Sequence, residues 1–234
     1  MEHYHIKPNY QTNSLQAYDT HDLNYWNIRR VASSKMFQSP VYKYLQHYLN
    51  NTKTNTLVDI GCGIGTKLLP ISKAYPKLQI IGIDSPSAIN YALSHHDFGQ
   101  WHPTDLNSNT LPLLSDIPLI ICSDVIEHVI DPDHLITYMK TILDPNGTII
   151  LSTPERDSLR GNSCNISPNP DHIREWNAEE FRTYLTSRGL EIKHQSFLLP
   201  VKIYPNKIFY NEVIKRFNRF KPVKTCQLIV AGLQ

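Results

Sequence analysis

The chain has 234 residues, of which 41% are hydrophobic and 19% charged, with a formal net charge of +2. That length supports one domain with a full apolar core, and so small a net charge creates no overall field for a nucleic-acid partner. No apolar run reaches the ~18 residues of a membrane span, and "MEHYHIKPNYQTN" lacks the basic-then-apolar pattern of a signal peptide, so a cytoplasmic location is expected.

Residues 1–23 are polar and without periodicity, as in a loosely held arm. From 23 to 49 apolar residues recur at helical spacing, which predicts two helices broken near Ser39-Pro40. The rhythm then changes. "TLVDI" (56–60), "LQIIGID" (78–84), "IPLIICSD" (117–124), "GTIILST" (147–153), "LEIKHQSFL" (190–198) and "CQLIVAGL" (226–233) are short apolar runs with helical stretches between them. The early runs are almost continuously apolar, as strands buried on both faces must be. Alternation of this kind predicts an α/β fold with a doubly wound, mostly parallel sheet. Asp131 with Pro132 marks one helix start, Asn177 with Glu180 another, and Gly189 a helix end. The expected division is an N-terminal arm and helical cap over 1–50 and a main domain over 51–234.

Two stretches interrupt the alternation. Residues 154–176 form a long loop rich in Pro, Asn and Ser, a length that within a compact domain usually carries function. Residues 202–224 hold seven Lys/Arg and one Glu. Phe209, Val213, Phe217 and Phe220 lie near one helical face there, which fits a helix packed on the sheet, a lid, a lipid-surface helix or an RNA contact. Cys62, Cys122, Cys164 and Cys226 are scattered without a C-x-x-C pair, which predicts free thiols in a reducing compartment. The sequon at Asn165 reads as chance.

"LVDIGCGIG" (57–65) places three of the chain's nine glycines at alternate positions directly after a strand. Bare backbone there permits a tight turn and lets a ligand approach closely, and the following helix offers unpaired N–H groups. The dinucleotide fingerprint needs a third glycine where Thr66 stands, so that motif is incomplete.

D-I-G-C-G-I-G instead resembles motif I of class I S-adenosylmethionine-dependent methyltransferases, and the later motifs follow in order over about residues 55–200. The resemblance implies a Rossmann-like seven-stranded sheet and S-adenosylmethionine as cofactor. It places Gly61, Gly63, Asp84 and Asp105 at the cofactor, with Ser85 and Leu106 beside the two acids. Asp84 would accept the ribose hydroxyls and Asp105 the adenine amine. Asp59 would hold the glycine loop or meet the methionine amine, and Ser123 would offer that amine its carbonyl. Arg29, with Arg30 and Trp26 nearby, is the candidate clamp for the cofactor carboxylate.

"SDVIEHV" sets Asp124, Glu127 and His128 at the end of the fourth strand, where substrate binds in such sheets. With His172 on the long loop they form a candidate site for Mg²⁺, Mn²⁺ or Zn²⁺, because carboxylates and imidazoles suit such cations. The same pattern resembles E-x-x-E-H of ubiquinone-type O-methyltransferases. "DHIREW" (171–176) resembles a motif of small-RNA 2′-O-methyltransferases. Asp124 replaces the longer Glu, which puts its ligation in doubt. In metal-free relatives the histidine acts as a base or only lines the pocket, so His128 and Glu127 are catalytic candidates either way. Arg156, Arg160 and Arg174 on the loop suit an anionic or sugar-nucleotide acceptor, or a solvated rim. The favoured reading is methyl transfer to a hydroxyl of a small molecule such as a sugar, glycan precursor or other metabolite. The alternatives are RNA-terminal 2′-O-methylation and cofactor binding without catalysis.

Overall fold

The computed structural model describes residues 4–13, 28–198 and 226–234, with side chains from residue 38 onward in the second span. A seven-stranded sheet runs through it, built from β1 (Thr56–Ile60), β2 (Gln79–Asp84), β3 (Gln100–Pro103), β4 (Ile117–Ser123), β5 (Leu143–Pro154), β6 (Leu190–Leu198) and β7 (Cys226–Leu233). The strand order is β3-β2-β1-β4-β5-β7-β6. All neighbours are parallel except β7, which lies antiparallel to both β5 and β6. The helices are α1 (Ile28–Asn51), α2 (Leu69–Ala74), α3 (Pro86–His95), α4 (Pro132–Ile142), α5 (Arg156–Arg160) and α6 (Ala178–Ser187). Among the described residues no helix is long and apolar enough to cross a membrane. The basic stretch 202–224 lies outside the described residues.

The apolar runs are buried on both faces, with successive side chains entering different cores. Ile120 and Cys122 of β4 join the core beneath α4 and α6, while Leu119 and Ile121 join the one beneath α1, α2 and α3. In β7, Ile229 and Ala231 face one way and Leu228 and Val230 the other. All four cysteines are free thiols, three of them buried.

Helix ends follow local chemistry. Asp131 caps α4 through its side chain, with Pro132 in the first turn. Asn177 and Glu180 form a reciprocal capping box on α6, and Gly189 beyond its end has φ +76°. One expectation is corrected: α1 is a single helix running through Pro40. A proline inside a helix costs about 3 kcal/mol. Burial of Val41, Tyr42, Leu45 and Leu49 on the sheet, at about 1.5–3 kcal/mol per large apolar side chain, outweighs that loss.

The long loop is not a solvated excursion. It contains α5, and Glu155 bridges Trp176 in parallel. Arg156, Arg174, Glu175 and Trp176 are all buried. Residues 4–13, expected to hang loosely, pack onto the loop and α6. Trp176 Nε1 donates to Tyr4 O at 2.9 Å, and Lys7 N donates to Glu180 Oε1 at 3.0 Å.

Glu180 receives both terminal nitrogens of buried Arg156, at 2.6 and 2.9 Å, and also the Asn177 amide at 3.0 Å. Removing one partner of a buried ion pair leaves an uncompensated charge. Glu180→Ala is therefore expected to destabilise the fold by about 3 kcal/mol in urea unfolding; a loss below about 1 kcal/mol would show the pair to be solvent-screened.

Candidate active site

The strand order reverses between β1 and β4, so the loops leaving these neighbours diverge and open a crevice at their carboxyl ends. Ile60 pairs with Cys122, which brings the glycine turn beside the β4 loop. Gly61 has φ +78°, a conformation that residues bearing a Cβ rarely adopt, and a Cβ there would overlap the Val125 side chain. Gly63 has φ +59°. Its amide donates to Asp84 Oδ2 at 2.7 Å, while Ser85 N donates to Oδ1 at 2.7 Å. Asp84 thus clasps the glycine turn, and a carboxylate has lone pairs left for further donors.

Asp59 is fully buried. Tyr42 of α1 donates to its Oδ2 at 2.6 Å, and its Oδ1 has no partner among the described residues. Burial pushes this carboxyl up to about 6, against the opposing influence of the Lys67 charge and the Tyr42 hydrogen bond. An unpartnered buried oxygen of this kind suits an incoming cationic donor.

Three groups converge beyond β4. Ligand atoms of Glu127, His128 and His172 lie within 4.8 Å of one another. The two imidazoles meet edge to face with centroids 4.8 Å apart. Glu127 is fully buried, and Thr153 donates to its Oε2 at 2.9 Å. Its Oε1 has no hydrogen-bond partner among the described residues and lies 4.0 Å from His128 Nε2. Burial and then the nearby Asp124 charge raise its proton affinity. His128 Nδ1 lies 2.7 Å from the Asp171 carbonyl, which can only accept, so that nitrogen carries a proton. His172 Nδ1 lies 2.6 Å from Glu175 Oε1. Burial alone would raise Glu175, but hydrogen bonds from His172 and Arg160 hold it at about 2, so it too accepts. In the neutral form of each ring the lone pair is therefore on Nε2. Partners of this kind on the far nitrogen orient a metal-binding histidine.

Asp124, expected as a fourth ligand, is not in this cluster. It has φ +54°, and its Oδ1 accepts from Ser152 Oγ at 3.0 Å and from Cys226 Sγ at 3.7 Å. The shorter side chain on a left-handed backbone is engaged by β5 and β7 instead. The loop arginines are likewise committed internally. Arg156 binds Glu180, Arg160 binds Glu175, and Arg174 donates to the carbonyls of Val129 and Ile130 at 2.8 and 2.9 Å. They tie the loop down rather than facing an acceptor or forming a solvated rim.

Apart from Arg29 and its neighbours, the remaining expected residues lie at or just beyond the carboxyl ends of β2, β3 and β4. Ser85 is buried, Leu106 packs at a core edge, and Asp105 is exposed with its Oδ1 accepting from Asn107 N at 2.9 Å. Ser123 O receives the Gln38 side-chain amide at 3.3 Å. Arg29 and Arg30 lie on the α1 backbone, but their side chains, and all of Trp26, lie outside the described residues.

Sequence reading passed over Tyr42, Gln38 and Lys67. Lys67 Nζ stands 5.4 Å from the centre of the Tyr42 ring. Desolvation lowers its pKa, and the charges of Asp59 and Asp84 oppose that shift. The available signal was its place two residues after the last glycine of the turn, and helical phase from α1 alone could not show that Tyr42 and Gln38 reach the same crevice.

A family model described as a methyltransferase domain matches residues 28–195. The ubiquinone biosynthesis O-methyltransferase of Pasteurella multocida is 31% identical over 127 residues, covering 48% of this chain and 52% of that protein. The chain spans only about half the length of the curated relatives it matches. Its fold is similar to a chain of the complex between the Haloferax volcanii Trm112 methyltransferase activator and a methyltransferase, with TM-score 0.67 and 17% identity over 91% of this chain and 97% of that one. The plantazolicin methyltransferase BpumL in complex with SAH matches with TM-score 0.60 and 18% identity, over 88% and 90% of the two chains. The glycine turn clasped by Asp84, the strand order and a family match across most of the chain lead to one conclusion: this protein belongs to the methyltransferase-domain family.

Proposed function

We propose that the chain transfers a methyl group from S-adenosylmethionine to a hydroxyl of a small acceptor, with a divalent cation held by Glu127, His128 and His172. The carrying observation is the buried, unpartnered Glu127 Oε1 facing two imidazoles with protonated Nδ1 atoms, beside the glycine turn. The donor set fits Mg²⁺, Mn²⁺ or Zn²⁺. O-methylation is further supported by the likeness to ubiquinone biosynthesis O-methyltransferases. We take residues 1–50 as a cap and 51–234 as the transferase domain.

In this reading Gly61 and Gly63 admit the cofactor close to the backbone, and Asp84 with Ser85 binds its ribose. Asp105 and Leu106 border its base. Asp59 and the Ser123 carbonyl receive its ammonium, and Lys67, rather than Arg29 alone, meets its carboxylate. When bound, S-adenosylmethionine supplies an electrophilic methyl on sulfur that leaves as a neutral thioether. A cation in the triad supplies Lewis acidity that lowers the pKa of a hydroxyl. The chain's own task is to hold the acceptor oxygen in line, ~3 Å from the methyl carbon, and to exclude water from the methyl, while the hydroxyl proton passes to bulk solvent. The "DHIREW" stretch that delivers His172 also supports a second reading, transfer to a terminal ribose of RNA. An RNA duplex with and without terminal 2′-hydroxyls, assayed beside small diols and phenols, separates the two.

Three outcomes are expected. Methyl transfer, followed as S-adenosylhomocysteine release, stops with a chelator and returns with Mn²⁺ or Mg²⁺; full activity in the chelator would remove the cation. Glu127→Gln lowers kcat/KM by at least about 100-fold with S-adenosylhomocysteine affinity unchanged in calorimetry. Lys67→Met weakens S-adenosylhomocysteine by about 10- to 100-fold, the worth of a charge-assisted hydrogen bond. It leaves 5′-methylthioadenosine, which lacks the amino-acid end, unaffected. Equal losses for both ligands would mean that Lys67 only shapes the turn.

A further inference from the structure

The segment that carries His172 has little structure of its own. Between Gly161 and Trp176 the chain forms only turns and bends, yet Ser167, His172, Arg174 and Glu175 are buried. Buried carbonyls without a helix or sheet ladder need partners from elsewhere. On one side the β4 loop supplies them. Ile173 N donates to Glu127 O at 2.8 Å, and His128 Nδ1 donates to Asp171 O.

On the other side the partner is the N-terminal arm, and above all Asn13. Its Nδ2 lies within hydrogen-bond distance of three carbonyls, Ser167 O at 3.1 Å, Asn169 O at 3.0 Å and His172 O at 2.9 Å. Its backbone amide donates to Ile173 O at 3.0 Å. One residue therefore gathers four carbonyls of a single irregular turn, one of them belonging to His172 itself. Neighbours in the arm extend the grip. Gln11 N donates to Asn165 O at 2.6 Å, and the Tyr10 hydroxyl accepts from Glu175 N at 3.0 Å. More than 150 residues of chain separate these partners, so local folding of the loop cannot produce the arrangement.

We propose that Asn13 is a positioning residue for the cation triad: by collecting the carbonyls of the 167–173 turn it holds the His172 imidazole against Glu127 and His128. The inference rests on the cation reading above and assigns the arm a role in the site. Zinc–imidazole bonds are about 2.0–2.1 Å and tolerate only ~0.2 Å of error. A turn relaxed by an ångström would therefore lose its ligand while the sheet stayed intact. An amide nitrogen is required because it meets three acceptors. The isosteric carboxylate of Asn13→Asp would face three carbonyl oxygens with no proton to give.

The test is a Mn²⁺ titration of the full chain with S-adenosylhomocysteine bound, read by calorimetry or electron paramagnetic resonance. Asn13→Ala is expected to weaken Mn²⁺ by about 10-fold or more, the usual effect of removing an outer partner of a ligand, and Asn13→Asp by more than that. S-adenosylhomocysteine affinity stays at the wild-type value, and hydrogen exchange accelerates over 162–173 but not in β1 or β5. Lys7→Ala, which removes only the exposed contact to Asn162 O, leaves Mn²⁺ affinity unchanged. Wild-type Mn²⁺ affinity in both Asn13 variants overturns the proposal while leaving the cation reading standing. Absence of Mn²⁺ binding to the wild-type chain overturns both.

Discussion

A carboxylate sits fully buried at the end of β4 with one oxygen unsatisfied, and much of the site is organised around that cost. Burying a carboxyl group without full partnering is expensive and here raises its proton affinity, and Thr153 satisfies only one side of Glu127. The backbone around it is tied to the long loop, since Glu127 O accepts from Ile173 N and, at 3.4 Å, from Arg174 N. Those bonds bring the His172 turn to the strand end, and the His128 ring locks onto the same turn through Asp171 O. The position of the carboxylate, the path of the loop and the orientation of both imidazoles are thus a single problem with a common solution.

The second constraint lies across the crevice, where Asp84 holds the glycine turn by two backbone amides. The turn needs positive φ at Gly61 and Gly63, and at Gly61 the Val125 side chain occupies the space of a Cβ. Val125 belongs to the same loop as Glu127. Packing therefore joins the two halves of the site directly. Helix α1 roofs the crevice with Tyr42 on Asp59 and Gln38 on Ser123 O. Its continuation through Pro40 follows from the apolar stripe Val41, Tyr42, Leu45 and Leu49 anchoring the second half.

The loop 154–176 shows how charged residues can build an interior. Arg156, Arg174 and Glu175 are buried as deeply as core aliphatics. Arg156 and Glu175 are matched by α6 and by other loop residues, while Arg174 meets backbone carbonyls through its two terminal nitrogens and its Nε is buried without a hydrogen-bond partner among the described residues. Trp176 anchors the end of the loop by stacking on Tyr184, with ring centroids 5.6 Å apart. Composition rich in Pro, Asn and Ser is compatible with such a segment because its backbone is satisfied by side chains and by isolated backbone bonds to residues 11–13 and the β4 loop rather than by a ladder.

Much of the fold was legible because it depends on short-range patterns. Apolar runs of strand length, the glycines at alternate positions, Asp131-Pro132 and the Asn177–Glu180 box act over a few residues, and each corresponds to an element in the structure. Glu127 and His128 were legible as candidates because they adjoin one strand end. Other features were settled by partners far along the chain. Asp124 points to β5 and β7 because Ser152 and Cys226 are there to meet it. Arg156 and Arg160 turn inward because Glu180 and Glu175 are there, and Arg174 because the carbonyls of Val129 and Ile130 are. Residues 4–13 dock because a turn more than 150 positions away lacks donors for its carbonyls. The sequence by itself determined the strands, caps and glycine turn, since local sterics and periodicity act within a few residues. Only the tertiary structure decided which acids and bases share a cavity, because burial and hydrogen-bond satisfaction are properties of the packed chain as a whole.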